Sequence, residues 1–410
     1  MTEAVPDGAR GAHRTLPTTL GAVSTTTACV VPVFLVGGLA VQLGTELGFS
    51  PAGLGLAVAV YFGVSALTSV PAGAVVERYG ARVAARAGIM VSVACLVAIG
   101  LAARDYLVLV AMLAVGAVAN GLGQLAANAS LSRIPARRQG LSFGIKQAAI
   151  PTATLLAGVS VPAVGLTLGW RWAFGLTAAA AAAALLLVPP DGRAAGLRRG
   201  DSRRHALTAT GPLVVIGAGV ALAAGAASSL GVFLVDSAAT RGLAPGLAGL
   251  TLTLGSVACI TGRVVAGWLA DRRRAHGDVM AVVVLLVVGA AGLALLSAPG
   301  AAPLVVGVLL AFGFGWAFPG LVNFAVVQLH PHAPAAATAI TQTGVYTGGC
   351  LGPLIFGAVA AARGYPAAWL GAAVAMLVAA GLMLAARSLL PPPHPPSIKE
   401  SFTPESGRSG

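Results

Sequence analysis

The chain has 410 residues, 57% of them hydrophobic and only 9% charged. A soluble domain carries about 25% charged residues, so this composition excludes a soluble enzyme or binding module and points to an integral membrane protein. The net charge of +13 is dispersed in short loops between apolar runs, a distribution that excludes a nucleic-acid partner.

About sixteen polar residues precede the first apolar run, at 17–43, which is too long for the core of a secretory signal. Further runs follow at 51–74, 83–103, 106–128, 140–162 and 170–189. Beyond a polar, arginine-rich stretch come runs at 212–236, 245–270, 279–297, 302–326, 337–362 and 367–386. A helix needs roughly 20 residues to cross about 30 Å of hydrocarbon, and the alternating ten-residue strands of a barrel are absent. The expected fold is an all-α integral membrane protein with two six-helix bundles, at 17–189 and 210–388. Residues 1–16 read as a polar tail and 190–209 as a flexible linker. The proline-rich 389–410 cannot bury a core and reads as a disordered tail.

With the N-terminus inside, 19 of the 25 basic residues fall in cytoplasmic tails and loops. Arg104, Arg171, Arg241 and Arg363 fall outside, and Lys146 and Arg263 lie within apolar runs. This positive-inside bias places both termini in the cytoplasm, and the chain in the plasma membrane. The basic loops also suit anionic lipid head groups. Cys29, Cys95, Cys259 and Cys350 lie inside the runs at no metal-ligand spacing and read as small packing residues. The histidines all fall in loops or tails, and His330-Pro-His332 lacks acidic or thiol company for a metal. No catalytic constellation, metal site or cofactor is implied.

An offset of 194 or 195 residues superimposes the two halves. Gly73-Ala-Val-Val-Glu-Arg78 matches Gly267-Trp-Leu-Ala-Asp-Arg272, Lys146-Gln147 falls on Thr341-Gln342, Asn128 on Asn323, and Gly169-Trp170 on Gly364-Tyr365. Parallel six-span repeats are the construction of many secondary transporters, with the substrate between the halves. On these residues the chain resembles the major facilitator superfamily over nearly its whole length. The superfamily signature between spans two and three, Gly-x-x-x-Asp-Arg-x-Gly-Arg, appears as Gly73, Glu77, Arg78, Gly80 and Arg82, with glutamate in place of aspartate. Its second copy is Gly267, Asp271 and Arg272. The resemblance implies a cytoplasmic gate in which Glu77 and Asp271 cap helix starts of the opposite half and the arginines hold the loops. Carboxylates favour helix N-termini, and arginine pairs well with carboxylate.

A charge at bilayer depth costs about 2.5–3.5 kcal/mol on insertion scales, so Lys146 and Arg263 are expected to face a cavity or a partner. Both lie about 12 Å inside the basic ends of their helices, where a long side chain can also snorkel outward. In the resembled fold spans five and eight face each other. Two cations about 10 Å apart there repel by about 1.7 kcal/mol at an effective dielectric of 20, and an anion between them relieves that repulsion.

Polar residues at helical spacing mark further candidates: Asn120, Gln124 and Asn128 on span four, Tyr61, Ser65 and Ser69 on span two, and Thr338, Gln342 and Tyr346 on span eleven. Interhelical packing bonds are the plainer reading of single hydroxyls.

The stretch around Arg263, Gly-Arg-x-x-x-Gly-x-x-x-Asp, also resembles span eight of monocarboxylate and oxalate/formate carriers, where the matching arginine binds the substrate carboxylate. The aspartate one turn before it in monocarboxylate carriers is Cys259 here.

The expected function is a secondary transporter of a small organic anion by alternating access. Lys146 and Arg263 would be its charge partners, and Gln147, Asn120, Gln124, Gln342 and Tyr346 its polar contacts. Coupling would be to a proton or to exchange of a counter-anion. Two other readings stay open: an exporter of hydrophobic drugs or secondary metabolites, and a non-transporting membrane sensor on a transporter fold.

Overall fold

The computed structural model describes residues 7–132, 134, 142, 144–189, 211–273, 279–329 and 334–389. Among these, every regular element is helical. Eleven helices are long and apolar enough to cross a membrane. The remaining apolar helix, Val279–Leu295, has 17 residues; at 1.5 Å per residue it is about 26 Å long. Helices follow from the composition, because within hydrocarbon a backbone must satisfy its own N–H and C=O groups.

Local signals set many of the ends. Ser50 caps Pro51–Tyr79 by accepting from the Gly53 N–H, with Pro51 at the first helical position. Asp105 caps Tyr106–Leu131 by accepting from the Val108 N–H at 2.9 Å. Glycines with positive φ turn the chain at the helix ends, and four of the six among the described residues obey the internal repeat: Gly48 (71°) matches Gly242 (86°), and Gly169 (98°) matches Gly364 (81°). The repeat reaches side chains too. Trp170 Nε1, opening span six, donates to Glu46, and its counterpart Tyr365, opening span twelve, donates to Asp236.

Several spans depart from the sequence reading; span five, for one, breaks at Ala148 and passes into a π-turn at Val161–Gly165. The run at 17–43 is interrupted: one helix ends at Gly38, and Ala40–Leu47 forms a separate short helix. Span two runs on to Tyr79, so Gly73, Glu77 and Arg78 sit in its last turns, and only Gly80, at φ 88°, makes the bend to span three. Span ten is broken into Ala301–Leu310, a π-turn at Ala311–Gly315 and Phe318–Leu329. Pro319 lacks the N–H that the Gly315 carbonyl would accept one turn back, so an unbroken α-ladder cannot pass this point.

Spans one to six and seven to twelve form two bundles that meet along spans one and seven, two and eleven, and five and eight. The tightest approaches lie at the end away from Glu77 and Arg82. A methyl group built on Gly55 would stand 2.3 Å from the Pro353 carbonyl oxygen, and one on Gly249 would stand 2.6 Å from Val161 Cβ. Only hydrogen fits at either place. Phe34 also crosses the seam against the Trp316 ring at 6.0 Å.

Candidate functional site

The helices leave a cavity of about 80 Å³ lined by residues of both bundles. Lys146 and Arg263 both line it and are each 6% exposed. Among the described residues that line it there is no Asp or Glu. The volume is room for two or three waters, far below the 300–1,000 Å³ of pockets that hold drug-sized ligands.

Each cation is held by the fold. Lys146 Nζ donates to Gln124 Oε1 at 2.5 Å, within one bundle. Arg263 donates from Nε (3.1 Å) and Nη2 (2.9 Å) to the Trp316 carbonyl, and from Nη1 to the Gln147 carbonyl of the other bundle. Among the described residues, both buried cations are thus satisfied by neutral acceptors. That arrangement keeps their charge uncompensated, and the two like charges face one space.

The structure sorts the sequence candidates. Asn120, Gln124, Gln147, Gln342 and Tyr346 all line the cavity with the two cations. Asn128 does not, although its repeat counterpart Asn323 does and accepts from Thr341 at 3.2 Å. The span-two stripe is packing instead. Tyr61 donates to the Cys29 carbonyl, Ser65 to the Tyr61 and Ala117 carbonyls, and Ser69 to the Ala66 carbonyl. Asn120 belongs to both groups, since its Nδ2 donates to Ser65 Oγ at 3.1 Å while the residue lines the cavity. Thr338 lies in span eleven with its side chain outside the described residues.

Sequence reasoning missed the aromatic wall made by Phe34, Phe62, Trp316 and Phe318. These rings look like ordinary span residues; the one local signal was Gly313, Gly315 and Pro319 around Trp316, which mark a broken helix.

At the gate signature, Glu77 and Arg78 are exposed, Arg82 is half-buried, and Arg78 stacks over Tyr79 at 5.3 Å. The side chains of Gly267, Asp271 and Arg272, and His330 and His332, lie outside the described residues.

A family model described as Major Facilitator Superfamily matches residues 22–353. The chain belongs to the major facilitator superfamily. A chloramphenicol resistance protein of Streptomyces lividans is 27% identical over 363 residues, covering 86% of this chain and 91% of that protein. The fold is shared with a bacterial homolog of the human lysosomal transporter Spinster in an inward-facing, occupied conformation (TM-score 0.68, 14% identity, 91% of this chain and 96% of that one). It is shared also with a variant of the nucleoside transporter NupG (TM-score 0.70, 16% identity, 90% and 99% covered). The protein is a multi-pass member of a transporter family, with the two-bundle fold of that family.

Proposed function

We propose that this chain is a secondary transporter that carries a small organic anion by alternating access through the cavity between its bundles. One observation carries the reading: Lys146 and Arg263 line one cavity whose described lining holds no acid. An anion arriving there gains two charge-assisted hydrogen bonds, the stronger class, and relieves the repulsion between the cations. Gln124, Gln147, Asn120, Gln342 and Tyr346 supply the neutral donors and acceptors around it. With the basic loops and both tails in the cytoplasm of a plasma-membrane protein, the tightly packed end is the external one. Segments 1–16, 190–209 and 389–410 are then cytoplasmic, and Glu77 and Asp271 lie on the side where the gate opens. Coupling is to a proton or to a counter-anion.

A second reading is favoured by the Streptomyces lividans relative, whose name records chloramphenicol resistance, and by the aromatic wall of the cavity. In that case the chain exports a neutral aromatic compound, and the cations bind its acceptor groups once the bundles have parted to enlarge the site.

Flux into sealed vesicles containing the purified protein separates the readings. Labelled mono- and dicarboxylates are expected to move with wild type and to stall with Lys146→Ala. Transport of chloramphenicol alone, at equal rates in both proteins, transfers the function to the exporter reading. Absence of any flux across both panels points to a sensor.

A further inference from the structure

We infer that Arg263 straps the two bundles together through a carbonyl that Pro151 leaves free, and that an anion in the cavity releases the strap by taking over the guanidinium. The second half rests on the anion reading above; the first half does not. Arg263 stands on span eight, and its Nη1 donates across the seam to the Gln147 carbonyl on span five. That carbonyl is available for a covalent reason. In an α-helix it would accept from residue 151, and residue 151 is a proline with no N–H. The other acceptor, the Trp316 carbonyl, sits in the turn between the π-turn Ala311–Gly315 and the helix Phe318–Leu329. Two interrupted helices, one in each bundle, thus present carbonyls to one guanidinium. Inside hydrocarbon such groups need a donor.

The strap is conditional. A guanidinium has five N–H groups in a planar fork, and here three of them donate to backbone carbonyls on a group that lines the cavity. A carboxylate takes two parallel N–H bonds from such a fork and brings an opposite charge, whereas the Gln147 carbonyl is neutral and accepts one bond. It therefore competes with the single bond to Gln147, while the paired bonds to Trp316 keep Arg263 on its own bundle. Loss of the Gln147 bond removes one of two polar crossings between spans five and eight among the described residues. The other is the hydroxyl pair Thr154–Ser256 at 2.8 Å. Cargo binding and loosening of this seam become one event, which is the coupling an alternating-access carrier needs.

The test uses the full-length protein with its native cysteines changed to alanine and a reporter pair, Thr154→Cys with Ser256→Cys, whose oxidative cross-linking rate reads how often the seam is closed. Pro151→Ala supplies the missing N–H to the Gln147 carbonyl and is expected to slow cross-linking several-fold. Arg263→Lys, which loses the fork but keeps the charge, is expected to do the same. The two together should be no slower than either alone, because they break one contact. Unchanged rates in both variants, or fully additive effects, overturn the strap. In the parent protein, lactate, benzoate or succinate is expected to slow cross-linking as the variants do. If vesicles transport carboxylates yet none of them changes the parent's rate, release by cargo is overturned. If the variants slow cross-linking and vesicles transport no carboxylate, the strap stands and the anion reading falls.

Discussion

Lys146 shows how far a single residue can be argued. Its rarity and its apolar surroundings were plain in the sequence, and burial beside Gln124 follows from the cost of a bare ammonium in hydrocarbon. Hydrogen bonds to charged groups are worth about 1.5–3 kcal/mol, so Lys146→Ala should weaken carboxylate transport roughly 10- to 150-fold in half-saturating concentration, read from vesicle uptake curves. Snorkelling of this lysine to the helix end would have left it exposed; it is 6% exposed and held inside. Glu46, outside the spans, allows a test by pH. Hydrogen bonds from Trp170 and Arg171 hold its carboxyl below the ordinary value of 4.5. A depressed carboxylate contributes stability above its unfolded pKa and loses it as pH falls through the folded one. Glu46→Gln should therefore lower the melting temperature slightly at neutral pH, and the gap to wild type should close below about pH 4.5. Both partners are close to half exposed, at 43% and 45%, so the shift will be small.

At the scale of elements, the twelve runs were legible because a bilayer sets their length, while their interruptions were not. Span ten looked continuous from 302 to 326, yet Gly315 and Pro319 break it, and the break places the Trp316 carbonyl under Arg263. Span five carried Lys146 and Pro151 in plain view, but which carbonyl the proline frees has meaning only once span eight lies alongside. The same holds for the glycines at the seam. Gly55 is one of 55 glycines in the chain, and only the packed structure brings it against the Pro353 carbonyl. Gly55→Ala should force spans two and eleven apart at that end. Overpacking costs about 1–3 kcal/mol, visible as a lower melting temperature and, in the reporter pair at spans five and eight, slower cross-linking.

At the scale of the molecule, the internal repeat is physical rather than merely textual. The offset that aligned Gly169 with Gly364 also aligns their positive φ values, and it carries Trp170 onto Tyr365; each of these donates to a carboxylate of its own half, Glu46 and Asp236, although the two acids do not themselves stand at that offset. A parallel repeat of six spans returns the chain to its starting side. A reporter that fluoresces only in the cytoplasm should therefore report from residue 1 and from residue 410 alike. Darkness at either end would refute the topology and, with it, which end of the cavity faces the cytoplasm.

The sequence by itself determined the membrane class, the twelve helical runs, the twofold repeat and the two unusual cations, because hydrocarbon thickness and the cost of buried charge act on each run independently. The family followed from two copies of one loop signature. Only the tertiary structure decided that Asn120 and Gln124 face the cations while Asn128 does not. It alone turned Tyr61 and Ser65 into packing bonds and built an aromatic wall from Phe34, Phe62, Trp316 and Phe318. Those facts depend on how each helix is rotated and where it is broken. Rotation is set by small residues meeting across seams between helices far apart in the chain, which no single run encodes.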